Sequence, residues 1–345
     1  MISELKRILL DRWQDLLPEK DTPRDLTPFI MAPTSGPRLQ PFGKTIILLF
    51  EPRSVAPVAV AAVVEDPRFA HRVQREYDNL RTVHQRFPQE MTEVIPRPLL
   101  LERIGADTAL VQTAVEGYPL LEILRSKDGS EAYHEQVWSM TTEWLLKTAA
   151  LRDESSGSRE ELARALVLSS HGYLQNYDVC KKEKRYIESL IDRMSCGGLA
   201  DIPTVPMHGD YWVGNIYGHK QITGVIDWEY FQPAGLPLWD MCMLCLTLGK
   251  VYDGQDSREV APLLRKCFST DGALADKCGS IMDTYLQAMG LACDRAVIDD
   301  VVAWWLISMA MREYEAFGMH SGMDLFWRQG LVAFMNLQPH TVWRR

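Results

Sequence analysis

The chain has 345 residues, 46% hydrophobic and 24% charged, more than one small core needs and suited to about two lobes of a globular protein. Its 37 Lys and Arg against 46 Asp and Glu give a net charge of −9, which argues against nucleic acid or an anionic membrane as the main partner. Seven cysteines do not make a disulfide framework, and the longest apolar run, 301–311, is short of the roughly 20 residues of a bilayer span, so no membrane insertion is expected.

In chain order, 1–25 begins as an amphipathic helix ending at Pro18. It lacks the apolar stretch and cleavage site of a signal peptide, so a cytoplasmic protein is expected. Residues 28–32 are short and apolar, and 34–43 read as a turn-rich loop with Gly36, Pro37, Pro41 and Gly43. Strands are predicted over 44–50 and 58–64, joined by a turn at 52–57. Phe69, Val73, Tyr77, Leu80 and Phe87 recur at helical spacing and predict a helix over 68–87, with Glu76 on the flank of its apolar face. Two further strands follow, one from about Leu99 and its return over 109–115, before Glu116-Gly117 breaks the pattern. Beyond Gly117 helices dominate, at 119–126, 130–151, 159–177, 182–194, 238–250, 258–268, 275–289 and 296–317, interrupted by a loop and hairpin over 204–227. A β-rich start followed by a larger helical part is an α+β plan. Cys242 and Cys245 form a C-x-x-C inside an apolar helical run; no second pair completes a zinc site, and core packing is expected.

The chemistry concentrates in 207–229. Residues 216–218 and 222–226 predict two short strands around a polar turn. Antiparallel pairing then brings Asn215, just before the first strand, to the same end as Asp227, just after the second. Asp210 lies five residues upstream, in the loop feeding that end. Hard oxygen ligands of this kind suit Mg²⁺, and a further carboxylate can accept the proton of an attacking hydroxyl. That is a minimal set for phosphoryl transfer, which works mostly by positioning and charge neutralisation.

The pattern H-G-D-x-x-x-x-N, a hairpin and I-D-W-E, from His208 to Glu229, resembles the aminoglycoside phosphotransferase and choline kinase superfamily. The resemblance implies a two-lobed, protein-kinase-like fold: a small antiparallel β-sheet N-lobe over 1–115 and a larger helical C-lobe over 116–345. It implies Asp210 as catalytic base, Asn215 and Asp227 as Mg²⁺ ligands, His208 as structural, and Asp240 as a buried brace of the catalytic loop. Glu76 matches the family's helix glutamate. Gln112, Thr113, Ala114 and Val115 match the segment whose backbone groups would bind the adenine edge.

One departure stands out. The family pairs its helix glutamate with a lysine on the third strand, but that strand here carries Ala62 and no lysine. Lys44, at the start of the preceding strand, can take its place at the phosphates, with Arg38, Arg53 and Arg68 as further cations. Alternatively the chain is a pseudokinase that binds a nucleotide or partner without turnover, or the strand register differs. For an acceptor, Glu229, Tyr230 and the helix carrying Trp304, Trp305, Arg312, Glu313 and Glu315 are candidates, set against a simple core-and-surface role for that helix. The sequence therefore points to transfer of the γ-phosphate of ATP or GTP to a hydroxyl of a sugar, amino sugar, aminoglycoside or amino alcohol.

Overall fold

The structure, a computed structural model, describes residues 1–31, 44–126, 131–153, 155–198, 202–252, 259–291, 295–317, 326–337 and 341. The whole of the expected 34–43 loop, with Gly36, Arg38 and Gly43, lies outside the described residues, as does Cys293.

The chain opens with helices α1 (Ile2–Asp11) and α2 (Trp13–Leu16), then strands β1 (Thr27–Ile30), β2 (Thr45–Phe50) and β3 (Ala59–Val64). Helices α3 (Ala70–Arg86) and α4 (Gln89–Thr92) precede strands β4 (Pro98–Ile104), β5 (Asp107–Thr113) and β6 (Tyr118–Pro119). Next come α5 (Leu120–Arg125), α6 (Glu131–Ala149), α7 (Ser156–Asn176) and α8 (Lys181–Ser195). Four short strands follow: β7 (Val205–Met207), β8 (Ile216–Gly218), β9 (Ile222–Val225) and β10 (Gln232–Gly235). The remainder is helical: α9 (Trp239–Tyr252), α10 (Val260–Phe268), α11 (Ala273–Ala288), α12 (Arg295–Phe317) and α13 (Phe326–Leu337).

Contacts divide the chain into two compact units. The first takes Met1–Pro119 and Asn215–Phe231; the second takes Leu120–Gly214 and Gln232–Arg345. Relative to lobes of 1–115 and 116–345, the β8–β9 hairpin groups with the large sheet, although residues 120–214 separate them in sequence.

In the first unit an antiparallel sheet runs in the order β1-β2-β3-β5-β4. β2 is a run of β-branched, leucine and phenylalanine residues, β3 is built of alanine and valine, and both faces of β3 are covered. One face, carrying Ile47, Leu49, Ala59, Ala61, Val63, Ala109 and Val111, packs on Leu5, Leu9, Trp13 and Leu17 from the N-terminal segment. The other face meets α3. Asp66 starts that helix's leading turn by accepting the Arg68 amide, with Pro67 behind it. The buried stripe of α3 is Val73, Glu76, Leu80 and Val83. Glu76 therefore sits within the apolar face, 2% exposed, rather than on its flank.

In the second unit α9 is buried almost all round, from Trp239 through Leu246, the pattern of a central helix. Helices α6, α10, α11 and α12 pack on it. Cys242 and Cys245 are fully buried there with Cys267 and Cys278, and burial pushes the Cys242 thiol well up. Strands β7 and β10, which the sequence does not announce, pair with each other and frame the loop carrying Asp210. Among the described residues no helix is long and apolar enough to cross a membrane.

Candidate active site

In the first unit the β8–β9 hairpin pairs Ile216 with Val225 and Tyr217 with Gly224. The Ile226 amide donates to the Asn215 carbonyl at 2.9 Å, so Asn215 and Asp227 do flank one end of the hairpin. Gly224 is required because Val115 lies where its Cβ would be, 2.6 Å away. Asp227 adopts a left-handed backbone, φ 65 and ψ 59, which costs an Asp less than most residues and marks a spot held by its surroundings. Its carboxylate is 39% exposed. After it the chain makes a short turn in which Trp228 is buried and its indole N–H donates to the Val225 carbonyl at 2.8 Å.

Lys44 immediately precedes β2. Ile46 lies opposite Ala62, so Lys44 is one pleat beyond Ala62 on the same sheet face. Its Nζ lies 2.6 Å from Glu76 Oε2, 3.0 Å from Glu229 Oε2 and 3.2 Å from Asp227 Oδ1. Burial alone would lower the Lys44 pKa; the facing carboxylates of Asp227, Glu76 and Glu229 overcome it and hold the ammonium well above its ordinary value. Burial pushes the Glu76 carboxyl up, against the pull of Lys44. Glu229 goes down despite burial, because Lys44 and Arg72 both favour its charge. Arg72, from α3, grips Glu229 with Nε at 2.7 Å from Oε1 and Nη2 at 2.9 Å from Oε2. Asn79, two turns on, donates to the carbonyls of Trp228 at 2.8 Å and Glu229 at 3.1 Å.

Two candidate assignments are thereby corrected. Glu229 does not line an open acceptor pocket: it is 2% exposed and committed to Lys44 and Arg72. Arg53 is exposed and Arg68 pairs with Asp66, so of the four candidate cations Lys44 alone is seen beside Glu76 and Asp227 among the described residues. Arg72 escaped sequence reading. Its only signal there is its position one turn before Glu76 on the same helical face.

The segment 112–115 continues β5 out of the sheet. The Thr113 amide donates to the Arg97 carbonyl at 2.9 Å and the Ala114 amide to the Val58 carbonyl at 3.2 Å. Among the described residues, the Val115 amide and the Ala114 carbonyl take no hydrogen bond. The Gln112 side chain is buried, and its Oε1 has no partner among the described residues.

In the second unit Asp210 follows β7 in a loop braced from below. Asp240 accepts the His208 amide at 2.7 Å and the Gly209 amide at 2.9 Å. Its carboxyl is pushed up to about 6 by burial, against those two bonds and the Arg312 charge. Gly209 has φ +83, a conformation glycine adopts without strain. Its carbonyl accepts from Arg312 Nη1 at 2.7 Å and from the Trp239 indole at 3.3 Å, and the guanidinium stacks on Trp239 at 4.8 Å. His208 Nδ1 accepts the Asp210 amide at 3.2 Å, which fixes the proton on Nε2. Of the candidate acceptor helix, Arg312 thus braces the 208–210 loop. Trp304 and Trp305 are core, and Glu313 accepts the amides of Phe326 and Trp327 at the start of α13.

Among the described residues no three acidic, His or Cys side chains form a ready-made cation cage. Mg²⁺ in general takes one or two protein carboxylates and completes its shell with phosphate and water. Carboxylates also outnumber cations around Lys44, which favours an added cation.

The sequence profile of the phosphotransferase enzyme family matches residues 58–266. No curated protein matches the chain significantly. Among solved structures, a putative fructosamine-3-kinase from Thermobifida fusca is 13% identical with a TM-score of 0.50, over 95% of this chain and 97% of that one. The aminoglycoside phosphotransferase APH(3'')-Id of Streptomyces rimosus, in complex with ADP and streptomycin, is 16% identical with a TM-score of 0.48, over 87% and 98%. The choline kinase LicA of Streptococcus pneumoniae is 11% identical with a TM-score of 0.44, over 96% of each chain. The profile match spans more than half of the chain, and the first likeness agrees with it on a kinase-like α+β fold: this chain belongs to the phosphotransferase enzyme family.

Proposed function

We propose that the chain is a cytoplasmic, Mg²⁺-dependent kinase that moves the γ-phosphoryl group of ATP or GTP to a hydroxyl of a small molecule of the sugar, amino-sugar, aminoglycoside or amino-alcohol class. The observation that carries this reading is the Lys44–Glu76 pair beside Asp227. It supplies the cation that Ala62 does not, from the neighbouring strand. In this reading Lys44 swings to the α- and β-phosphates while Glu76 steadies its stem. The Val115 amide and Ala114 carbonyl present a donor and an acceptor to the base edge. Asn215 and Asp227 would hold Mg²⁺, whose role is to neutralise charge on the transferring phosphates. Asp210 accepts the proton of the acceptor hydroxyl as the phosphoryl group arrives.

A non-catalytic nucleotide-binding protein is the second reading, motivated by Ala62 itself. Turnover separates the two. A coupled nucleotide-consumption assay with Mg²⁺ and a panel of amino sugars, aminoglycosides, choline analogues and simple sugars is expected to show acceptor-dependent turnover. Asp227→Ala and Asp210→Asn should each lower it by about a hundredfold or more, with Asp210→Asn still binding nucleotide. An Asp210→Asn protein with full activity would falsify the base assignment. Nucleotide binding with no turnover across the panel would favour the second reading.

A further inference from the structure

We infer that Arg72 is a positioning residue for Lys44: by satisfying Glu229 it leaves the lysine available to a phosphate. The inference rests on the nucleotide reading above and adds to it a residue that the family pattern does not supply.

Glu229 is a carboxylate with 2% exposure. A charge so placed must be compensated, and leaving it unpaired is costly. Two cations reach it. Arg72 does so with both arms of its fork, at 2.7 and 2.9 Å. Lys44 reaches Oε2 alone, at 3.0 Å. A guanidinium matches a carboxylate bidentately and stays charged, whereas an ammonium on a flexible stem is a point charge that can be redirected.

Consider the lysine moving toward a phosphate. With Arg72 in place, Glu229 keeps two charge-assisted hydrogen bonds when Lys44 leaves. Without Arg72, Lys44 becomes the sole compensation for Glu229 and is held back. Asn79 holds the backbone of the turn that carries Glu229 through the carbonyls of Trp228 and Glu229. Arg72 and Glu76 lie four residues apart on one face of α3. One helix thus carries both the carboxylate that steadies Lys44 and the cation that relieves it of Glu229.

The test is binding of Mg²⁺–ADP and of a non-hydrolysable Mg²⁺–ATP analogue to the full chain, by calorimetry. Arg72→Gln is expected to weaken binding by about tenfold or more. Glu229→Gln removes the competing charge and is expected to tighten it. The double variant, Arg72→Gln with Glu229→Gln, is expected to return to within about threefold of the parent, although it lacks the bridge altogether. A bridge that only held the fold together would make the double variant as weak as Arg72→Gln or weaker, and that result overturns the inference. Should Arg72→Gln fail to fold by circular dichroism, Glu229→Gln alone decides. Tighter binding supports the relief of Lys44, and binding unchanged or weakened overturns it. A parent protein that binds no nucleotide overturns the phosphotransferase reading itself, whereas a binding parent matched by Arg72→Gln overturns the role of Arg72 alone.

Discussion

Lys44 shows how a missing residue can be replaced by geometry rather than by sequence position. Register puts it on the Ala62 face, one pleat away, and a lysine stem covers that offset easily. Its removal has two separable consequences. Lys44→Met should abolish turnover and weaken Mg²⁺–nucleotide binding by about a hundredfold, as loss of a charged phosphate contact in a buried setting implies. It should also destabilise the protein by about 3–5 kcal/mol, because Glu76 and Glu229 remain buried with only Arg72 to compensate. Urea denaturation measures the second effect, and a variant as stable as the parent would show that the cluster is already relaxed by solvent. Lys44 could be found in the sequence because the empty position at Ala62 forced a search for a cation nearby. Arg72 could not, because its partner is 157 residues away and nothing local distinguishes it from a surface arginine. The pairing of Glu229 is hidden from the sequence for a related reason. A carboxylate two residues after Asp227 is available to an acceptor only if no cation reaches it first, and cations reach it from two elements distant in sequence.

Among the elements, those with a strong period were legible and those defined by partners were not. β2, β3 and α3 declare themselves through β-branched runs and a repeating apolar stripe. β7 and β10, three and four residues long, have no period to read; each exists because the other pairs with it. What they frame, the 208–210 loop, is tied to α9 by Asp240, and that tie predicts a pH effect. The folded carboxyl sits at about 6 against an ordinary 3.8, so the fold binds its proton more tightly than the unfolded chain does. Between those values the native state carries the extra proton. This group's contribution is therefore fully present at low pH, falls as pH rises through about 6, and amounts to about 3 kcal/mol at most. Asp240→Asn cannot titrate, and it loses one acceptor facing the His208 and Gly209 amides. Its stability deficit relative to the parent should be largest at about pH 4 and below, and shrink by pH 7 to 8. A deficit that stays constant across that range, followed by thermal melts, would show that Asp240 is already ionised at the lower pH.

At the scale of the whole molecule, the first unit is discontinuous. Asn215–Phe231 belongs with Met1–Pro119 because its side chains complete that core. Trp228 packs edge-on against Phe87 with ring centroids 5.9 Å apart, and the Val225 amide closes onto the Val94 carbonyl at 2.8 Å. The chain must therefore leave, build helices, and return before the cluster of Lys44, Glu76, Asp227 and Glu229 can exist. Hydrophobic periodicity ranks segments along a line and does not reveal such a return, although the H-G-D to I-D-W-E pattern marks where it happens. The register states how the detour could be removed. β6 and β8 are antiparallel, with Tyr118 opposite Gly218 and Pro119 opposite Tyr217. Pro119 and Asn215 are thus two ends of a would-be hairpin, and about four residues of Gly and Asn suffice to join them. A chain of 1–119, that linker and 215–231 should unfold cooperatively on heating. Residues 1–119 alone should not, since Phe87 loses its buried partners and Lys44 loses two of its three carboxylates. If 1–119 alone melted as sharply as the joined chain, the hairpin would be an appendage to the sheet rather than part of its core, and the clustering of Lys44 with Asp227 would have to be maintained by the intact chain.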